Sequence, residues 1–446
     1  MAATFDLIIH GGTCMTPSGR AETSVGVRDG KIVAIGDLDP NAAASTFDAK
    51  GLHVLPGVID TQVHFREPGA EHKEDLAHGT KAAIMGGVTA IFEMPNTNPL
   101  TITTEAIADK VTRASGRAWC DFAFFMGAAA ENADAMGTLE MSPGCCGVKL
   151  FMGASTGDLL VADDPTIERV LRHGIRRVAI HAEDEPRMQA RFHIAEEAAD
   201  AHAHPEWRDA ESARLATERV LRIAKRTGRR VHVLHITTAE EIELLGRHKD
   251  VATVECTPQH LTLEAPDCYD RLGSFAQMNP PIRDARHRAG LWAGVQSGVV
   301  DVIGSDHAPH TREEKSGTYP NTPSGMPGVQ TLVPVMLNHV HEGRLTLERF
   351  VDLTAHGPQR IFNIAGKGRL AVGYDADFTL VDLKETRTIT DDWIVSKCGW
   401  TPFNGMKVTG WPMATIIRGA TVMRDGAVQD APTGAPVRFQ ETLNAG

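Results

Sequence analysis

The stretch IDTQVHFREPG, residues 59–69, joins the end of an apolar strand to a run of polar side chains. Side chains on alternate residues of a strand point to the same face, so Gln62 and His64 are expected to lie side by side. A histidine at position 62 would complete an H-x-H pair of metal ligands, but glutamine stands there. The stretch therefore predicts a strand that ends at a metal site in which one ligand is altered.

The apolar part of this stretch belongs to a pattern that recurs through the middle of the chain. Eight apolar, β-branched runs occur there: HVLPGVID (53–60), GVTAIFEM (87–94), CDFAFFM (120–126), CGVKLFM (146–152), RVAIHAE (177–183), RVHVLHI (230–236), VATVECT (251–257) and VVDVIGSD (299–306). Segments of helical character separate most of them, such as residues 74–87 and 284–298. Eight strands alternating with helices predict an α/β protein, a (β/α)8 barrel of the TIM type.

The two ends of the chain differ from its middle. Short alternating strands fill residues 1–55 around an Asp29-Gly30 turn signal, and the C-terminal stretch repeats this style around Asp425-Gly426. Such dipeptides between alternating strands favour β-hairpins. The sequence predicts one small β-sandwich domain formed by residues 1–55 together with 368–446, beside a barrel of residues 56–367.

One acidic segment of the middle, Glu196–Glu206, contains two histidines. Its composition is typical of a solvated helix and its end. We therefore expect His202 and His204 to be surface residues.

The bulk composition is typical of a soluble globular protein. Of the 446 residues, 42% are hydrophobic and 23% are charged, and the net charge is −12. An acidic balance argues against a nucleic-acid surface, which needs a basic face. No run approaches the roughly 18 apolar residues of a membrane span. The N-terminal MAATFDLIIHGG lacks signal-peptide features, and the seven cysteines lack C-x-x-C spacing, so we expect reduced thiols in a cytoplasmic protein.

The ends of the predicted strands carry the candidate chemistry. Barrel enzymes place their active sites at the C-terminal mouth, where strands end. Polar residues of ligand type lie at five of these ends: Gln62 and His64, Lys149, His181, His235, and Asp306. Nitrogen and oxygen donors of this mixture suit zinc, and less often manganese, cobalt or nickel. The pattern predicts one or two Zn²⁺ ions at the mouth of the barrel.

Lys149 is unusual in such a set because an ammonium group cannot bind a metal. A lysine amine can react with carbon dioxide to form a carbamate, whose two oxygens can bridge two ions; the alternative is an ion-paired lysine. A metal site lowers the pKa of bound water from about 15.7 to about 7. Asp306 would hold one metal and move the proton from that water to a leaving nitrogen. The residues predict hydrolysis of an amide-like or ester-like bond.

Longer motifs carry a resemblance to a known family. They are PGVIDTQVHFREPG, EMPNTNP, GVKLFMGASTG, HAED, VLHITT, NPPIR, GSDHAPHT, TPFNGMKVTGWP and RGATVMRDG. With these motifs the chain resembles the amidohydrolase superfamily and, within it, the dihydroorotases. The resemblance extends from Pro56 through the C-terminal strands.

The resemblance implies roles for individual residues. It implies metal ligands at His64, Lys149 as a carbamate, His181, His235 and Asp306. It implies contacts to a substrate carboxylate from Arg66 and Asn96, and contacts to the pyrimidine ring from Asn279 and His310. A guanidinium is the natural bidentate partner of a carboxylate. The alternatives are a structural ion pair for Arg66, turn capping for Asn96 and a polar loop surface for His310.

The chain departs from the family pattern at two glutamines. Gln62 replaces the first histidine of H-x-H. In ECTPQHL, Gln259 stands where dihydroorotases more often have a second histidine, and this glutamine gives the segment a likeness to hydantoinases. The amide oxygen of Gln62 is a weaker ligand for zinc than imidazole. Because the remaining candidate ligands are intact, we expect an active enzyme with a modified metal centre.

The resemblance implies a dihydroorotase, which converts L-dihydroorotate and N-carbamoyl-L-aspartate reversibly in pyrimidine biosynthesis. One alternative is a cyclic amide hydrolase of the hydantoinase or allantoinase type. Another is a catalytically silent subunit that supports aspartate transcarbamoylase. The expected partners are a small-molecule substrate and further copies of the chain, as a homodimer or higher homo-oligomer, with no nucleic acid and no membrane.

Overall fold

The computed structural model of the chain describes residues 3–155, 159–429 and 431–443. Thr156 and Gly157, the last two residues of the GVKLFMGASTG motif, lie outside these ranges. Among the described residues, no helix is long and apolar enough to cross a membrane.

The strands of the described residues are, in chain order, β1 (Phe5–His10), β2 (Thr13–Thr16), β3 (Gly19–Glu22), β4 (Ser24–Arg28), β5 (Lys31–Gly36), β6 (Ala43–Asp48), β7 (His53–Pro56), β8 (Val58–Val63), β9 (Val88–Glu93), β10 (Asp121–Gly127), β11 (Cys145–Phe151), β12 (Val178–His181), β13 (Val231–Val233), β14 (Ala252–Cys256), β15 (Val302–Ile303), β16 (Phe378–Thr388), β17 (Lys407–Ile417), β18 (Ala420–Arg424) and β19 (Ala427–Val428).

The α-helices are α1 (Leu76–Met85), α2 (Thr104–Ala114), α3 (Met136–Leu139), α4 (Asp164–Arg172), α5 (Glu185–Ala198), α6 (His204–Trp207), α7 (Ala210–Thr227), α8 (Ala239–Gly246), α9 (Pro258–Thr262), α10 (Asp267–Leu272), α11 (Ala285–Ser297), α12 (Arg312–Lys315), α13 (Leu332–His341), α14 (Leu347–Val351) and α15 (Gly357–Phe362).

Strands β8 to β15 form one parallel sheet in sequential order. The backbone N–H of His64, just after β8, donates to the carbonyl of His307, just after β15, over 2.7 Å. This bond brings the first and last strands together, so the predicted (β/α)8 barrel is confirmed. One boundary was wrong: the run HVLPGVID is two strands, because β7 pairs with β16 outside the barrel.

Aromatic side chains fill the interior of the barrel, and the C-terminal segment covers its N-terminal end. Phe362 packs edge-on against Phe92 and Phe125, with ring centroids 5.2 and 5.9 Å apart. Near the start of β10, the backbone N–H of Val437 donates to the carbonyl of Phe122 over 2.9 Å, which seats the C-terminal segment across this end. Because the eight strands are parallel, their polar carboxyl ends lie together at the opposite, C-terminal mouth.

Local sequence explains where the helices around the barrel begin. The side chain of Asp75 accepts a hydrogen bond from the backbone N–H of His78 and caps α1. Asp209 caps α7 through the N–H of Ser212, and Gly228 ends that helix in the left-handed conformation. Such caps satisfy backbone groups that the helix leaves unpaired at its ends.

Two further sheets lie outside the barrel. One has the order β5-β4-β1-β6, and the other, β19-β18-β17-β16-β7-β2-β3, joins strands from both ends of the chain. The Asp29-Gly30 turn connects β4 to β5 with positive φ at both residues, as the hairpin signal predicted. The division at residues 55, 56, 367 and 368 stays a prediction.

The expectation for the acidic segment was half wrong. The side chain of His202 is 42% exposed and lies between Asp200 and Asp270. His204 is fully buried, and its Nδ1 lies 3.3 Å from the hydroxyl of Tyr319. The short helix α6 therefore turns into the protein where composition suggested solvent.

Candidate active site at the mouth of the barrel

One cavity at the C-terminal mouth brings together nearly all the predicted site residues. It is lined by Gln62, His64, Arg66, Asn96, Lys149, His181, His235, Asn279 and Asp306. His310 does not line this cavity. Three of the lining residues, Arg66, His235 and Asp306, have positive φ values of 63°, 37° and 44°. Strained backbone of this kind in non-glycine residues is characteristic of functional sites.

His64 is held between two polar side chains. Its Nε2 lies 3.3 Å from Oδ1 of Asp306, and its Nδ1 lies 2.8 Å from Oδ1 of Asn96. Because an amide oxygen only accepts, Nδ1 of His64 carries the proton and Nε2 keeps its lone pair. Asn96, for which the sequence predicts a substrate contact, thus sets the tautomer of a predicted metal ligand.

His181 and His235 form a second pair, with ring centroids 4.7 Å apart. Nε2 of His181 donates to Oε2 of Glu183 over 2.7 Å, which leaves Nδ1 with the lone pair. Burial disfavours the ionised form of Glu183, but the charge of Arg208 and the hydrogen bond from His181 hold the pKa of this carboxyl well below its usual range. Burial also lowers the pKa of both histidines, which favours their neutral, metal-binding form.

Lys149 is fully buried, and its Nζ has no hydrogen-bond partner among the described residues. Its Nζ lies over the ring of Phe151, 4.4 Å from the ring centroid. Burial lowers the pKa of the Lys149 amine to about 7, although Asp306 and Glu255 oppose this shift. A large share of the amine is therefore uncharged at neutral pH, and the uncharged form is the one that attacks carbon dioxide.

Gln62 contacts the predicted general base. Its Nε2 donates to Oδ1 of Asp306 over 3.0 Å, while its Oε1 is buried and has no hydrogen-bond partner among the described residues. Gln62, which stands in place of the first histidine of the H-x-H pattern, thus lines the same cavity as His64. An amide oxygen without a partner in a buried site is free to accept from a ligand or to bind a cation.

The donor set fits a metal site that includes a modified lysine. Within the described ranges, no three His, Cys, Asp or Glu side chains converge as a ligand set. The imidazoles and the carboxylate instead form two pairs, His64 with Asp306 and His181 with His235. Lys149 and Gln62 are the further side chains that line the same cavity with unpartnered polar atoms. A carbamate on Lys149 would supply the oxygen donors that the two pairs lack.

Arg66 supplies a buried cation to the cavity wall. Its Nε donates to the carbonyl of Pro309 over 3.2 Å, and its Nη2 lies 3.2 Å from Nε2 of His310. Across the part of the chain that the structure describes, no carboxylate lies within 4.0 Å of its guanidinium nitrogens. Burial lowers the pKa of this guanidinium to about 10. Among the described residues, the structure therefore does not support the alternative that Arg66 forms a structural ion pair.

His310 and Asn279 occupy different layers of the site. His310 is fully buried behind Arg66, and Lys73 donates to its Nδ1 over 3.1 Å, so it is not loop surface. Asn279 lines the cavity, and its Oδ1 accepts from Nε2 of His204 over 3.0 Å. Gln259 donates to the carbonyl of Ser305 over 2.7 Å and supports the residue before Asp306.

Sequence reasoning missed a second cavity and the residues beside it. This cavity of about 440 Å³ shares Ser155, Asn279 and Ser324 with the cavity at the barrel mouth. The cavity at the mouth, which holds the predicted metal ligands, is called the metal cavity below. The walls of the second cavity include Met188, Phe192, Trp207 and Arg208. One signal in the sequence could have indicated the support of His181. It is Glu183, two positions later in the HAED motif, because metal-binding histidines commonly donate to a carboxylate.

Comparisons with known proteins agree with this geometry. The model of the amidohydrolase family matches residues 53–422. A dihydroorotase from Halobacterium salinarum is 38% identical over 86% of this chain and 89% of its own length. An allantoinase from Deinococcus radiodurans is 33% identical over 98% of this chain and 99% of its own. The structure of an L-hydantoinase from Arthrobacter aurescens superposes with a TM-score of 0.92 at 30% identity, covering 97% of this chain and 100% of that one. With a family model that covers most of its length and a barrel of the same architecture, this chain belongs to the amidohydrolase family.

Proposed function

We propose that the protein is a dihydroorotase, which hydrolyses L-dihydroorotate reversibly to N-carbamoyl-L-aspartate in pyrimidine biosynthesis. The observation that carries this proposal is the buried cation of Arg66, which faces the cavity without a carboxylate partner among the described residues. A buried charge is stable when it is paired, and a carboxylate on the substrate supplies that pair. Relatives named dihydroorotase, at 38% and 35% identity, support the same activity.

The candidate ligands for one or two Zn²⁺ ions are His64, Lys149 as a carbamate, His181, His235 and Asp306, with Gln62 as a weak additional donor. When bound, zinc polarises the carbonyl under attack and makes water acidic enough to supply hydroxide near neutral pH. Asn96 and Glu183 keep the two flanking histidines in the tautomers that direct a lone pair into the cavity.

Asp306 is the proposed proton carrier. Its carboxylate takes a proton from the attacking water, the ring C–N bond breaks, and the same proton passes to the departing ring nitrogen. Oδ1 of Asp306 accepts from Nε2 of Gln62, which fixes the carboxylate against the cavity wall. In the reverse direction the same group removes the proton from the carbamoyl nitrogen before the ring closes.

Arg66 is the proposed anchor for the substrate carboxylate, with Asn96 beside it and Asn279 toward the ring. A guanidinium binds a carboxylate through two parallel hydrogen bonds, which fixes orientation as well as position. Orientation matters because the ring amide has to lie against the metal ligands for attack.

Turnover and metal content of the purified protein test the proposal together. We expect bound metal and faster hydrolysis of L-dihydroorotate than of hydantoin or allantoin. Faster hydrolysis of a neutral ring than of dihydroorotate would contradict the proposal and favour the related cyclic amide hydrolases. Absence of metal under every loading condition, together with no turnover, would favour a silent subunit that supports aspartate transcarbamoylase.

A second candidate function, hydrolysis of substituted hydantoins, has one observation in its favour. The cavity of about 440 Å³ beside the metal cavity has Met188, Phe192 and Trp207 in its walls. Dihydroorotate carries no apolar substituent that would need this space. Hydantoins with aryl substituents at C5 test this candidate, since it requires turnover that increases with the size of the substituent.

A further inference from the structure

The segment HPEWR, residues 204–208, borders the second cavity through Trp207 and Arg208, and its His204 contacts Asn279, which lines both cavities. Its first and last side chains are buried, with His204 at 0% and Arg208 at 3% exposure. The indole N–H of Trp207 donates to the carbonyl of Met188 over 2.8 Å. Nη1 of Arg283 donates to the carbonyl of Arg208 over 3.0 Å. The C-terminal end of the segment is therefore fixed to elements around the site.

Arg208 connects the segment to a predicted metal ligand. Its Nε donates to Oε1 of Glu183 over 3.1 Å, and its Nη2 bonds to Oε2 of the same carboxylate. That Oε2 accepts from Nε2 of His181 over 2.7 Å. The three side chains form a continuous buried chain in which the carboxylate bonds to Arg208 on one side and to His181 on the other.

Arg208 also contacts the backbone of Ala154, which lines the second cavity. Its Nη2 donates to the carbonyl of Ala154 over 2.8 Å. Ala154 in turn donates its backbone N–H to Oε2 of Glu185 over 2.6 Å. A single guanidinium thus links the support of His181 to the described end of the loop that follows β11, the strand of Lys149.

His204 connects the other end of the segment to the predicted ring contact. Its Nε2 lies 3.0 Å from Oδ1 of Asn279 and 3.0 Å from the carbonyl of Met278. Both partners accept, so Nε2 of His204 carries the proton and donates to them. With its oxygen held in this way, Asn279 has its amide nitrogen available to a carbonyl of the substrate ring.

We propose that HPEWR is a positioning element that orients His181 through Arg208 and Glu183, and orients Asn279 through His204. This inference rests on the proposed function, because it assigns supporting roles within the same site. The segment would set two properties with one short helix: affinity for metal at the His181 position, and recognition of the substrate ring. The two are separable, because different side chains carry them.

The metal arm of the test measures affinity by competition with a chelator, without substrate. Glu183→Gln and Arg208→Lys should each lower zinc affinity about 10–100-fold, the range seen when a group supporting a metal ligand is changed. The matched control is Arg187→Met, because Arg187 pairs with Asp209 beside the segment and does not contact Glu183. Unchanged affinity in both test variants would overturn this arm, and Arg208→Lys decides the matter if Glu183→Gln does not fold.

The substrate arm is a double-mutant cycle between His204→Phe and Asn279→Ala. His204→Phe keeps an aromatic ring beside Trp207 and Tyr319 and removes only the hydrogen bonds. We expect about a tenfold rise in KM with little change in kcat or zinc affinity, and the rise should vanish when Asn279 is already alanine. Additive effects of the two substitutions would overturn this arm. Because the cycle uses whichever cyclic amide the parent hydrolyses, and the metal arm uses none, failure of the dihydroorotase proposal is distinguishable from failure of this one.

Discussion

Gln62 donates a hydrogen bond to Asp306 across 3.0 Å, between side chains that are 244 positions apart in the chain. The residue that replaces the expected histidine is therefore joined to the predicted general base. Its amide oxygen is buried and unpartnered within the described ranges, on the same cavity wall as His64. The site thus retains a polar, ligand-capable group at the altered position, which favours a weakened metal position over a lost one.

Gln62→His is expected to raise affinity at the weaker of two metal positions. Imidazole is a better donor to zinc than a neutral amide oxygen. Changes to supporting residues alone alter metal affinity about 10–100-fold, so a direct ligand should matter at least as much. Metal stoichiometry during graded chelation would show one tight and one weak ion in the parent and two tight ions in the variant.

The matched control for that experiment is Gln259→His. Gln259 is the second departure from the family pattern, but it bonds to the carbonyl of Ser305 and does not line the metal cavity. The Gln259→His variant should therefore leave the affinity of the weaker metal position unchanged. Two equally tight ions in the parent would show that Gln62 ligates as well as histidine does.

Lys149→Ala is expected to abolish metal binding and turnover. Lys149 is fully buried in the metal cavity, and a carbamate on its amine would add oxygen donors to the two donor pairs, His64 with Asp306 and His181 with His235. Acetate or propionate should restore part of the activity, because a free carboxylate can occupy the space of the carbamate. His235→Ala serves as the control, since no carboxylic acid replaces an imidazole. Full zinc loading in Lys149→Ala would contradict a bridging role.

Arg66→Lys is expected to lower kcat/KM for dihydroorotate by about 2–4 kcal/mol in transition-state free energy. Lysine keeps the positive charge but cannot form two parallel hydrogen bonds with a carboxylate. Dihydrouracil, which has the ring but lacks the carboxylate, is the control substrate. Its kcat/KM should change little, so the variant should lose discrimination between the two rings. Equal turnover of dihydroorotate by parent and variant would refute the carboxylate assignment.

Sequence patterns were sufficient for features that repeat or that lie near one another along the chain. Eight apolar runs predicted the barrel, and the polar residues at their ends line one cavity, as expected for parallel strands that end at one mouth. The division of the run HVLPGVID into β7 and β8 was not predicted, because one apolar run contains both strands and only the pairing of β7 with β16 separates them.

Features that depend on distant pairings were not predictable in this way. His204 lies in an acidic segment, and its burial depends on Asn279 and Tyr319, which are 75 and 115 positions away. Arg208 and Glu183 are 25 positions apart, and nothing local marks them as partners. Composition describes a segment on average, whereas burial of one side chain depends on what folds over it.

The last prediction concerns the junction between the barrel and the outer sheets. Lys367 is 5% exposed, and its Nζ lies 2.5, 3.0 and 2.7 Å from carboxylate oxygens of Asp121, Asp375 and Asp377. Asp121 begins β10 of the barrel, whereas Asp377 precedes β16 of the outer sheet. Lys367→Met would leave three buried carboxylates without their shared cation. Removing one partner of a buried pair typically destabilises by about 3–5 kcal/mol.

Urea unfolding at several pH values tests this effect, with Lys31→Met as the control. Lys31 also pairs with Asp375, but its side chain is 37% exposed, so the Lys31→Met substitution should lower the free energy of unfolding by about 1 kcal/mol or less. Burial raises the pKa of Asp375, but Lys367 and Lys31 outweigh it and lower that pKa below its ordinary value. A lowered pKa contributes stability above the unfolded-state value near 4, and that stability is lost as pH falls through the folded-state value. The gap between parent and Lys367→Met should therefore be largest near neutral pH and shrink in acid, and a gap independent of pH would show that Lys367 acts through packing and not through its charge.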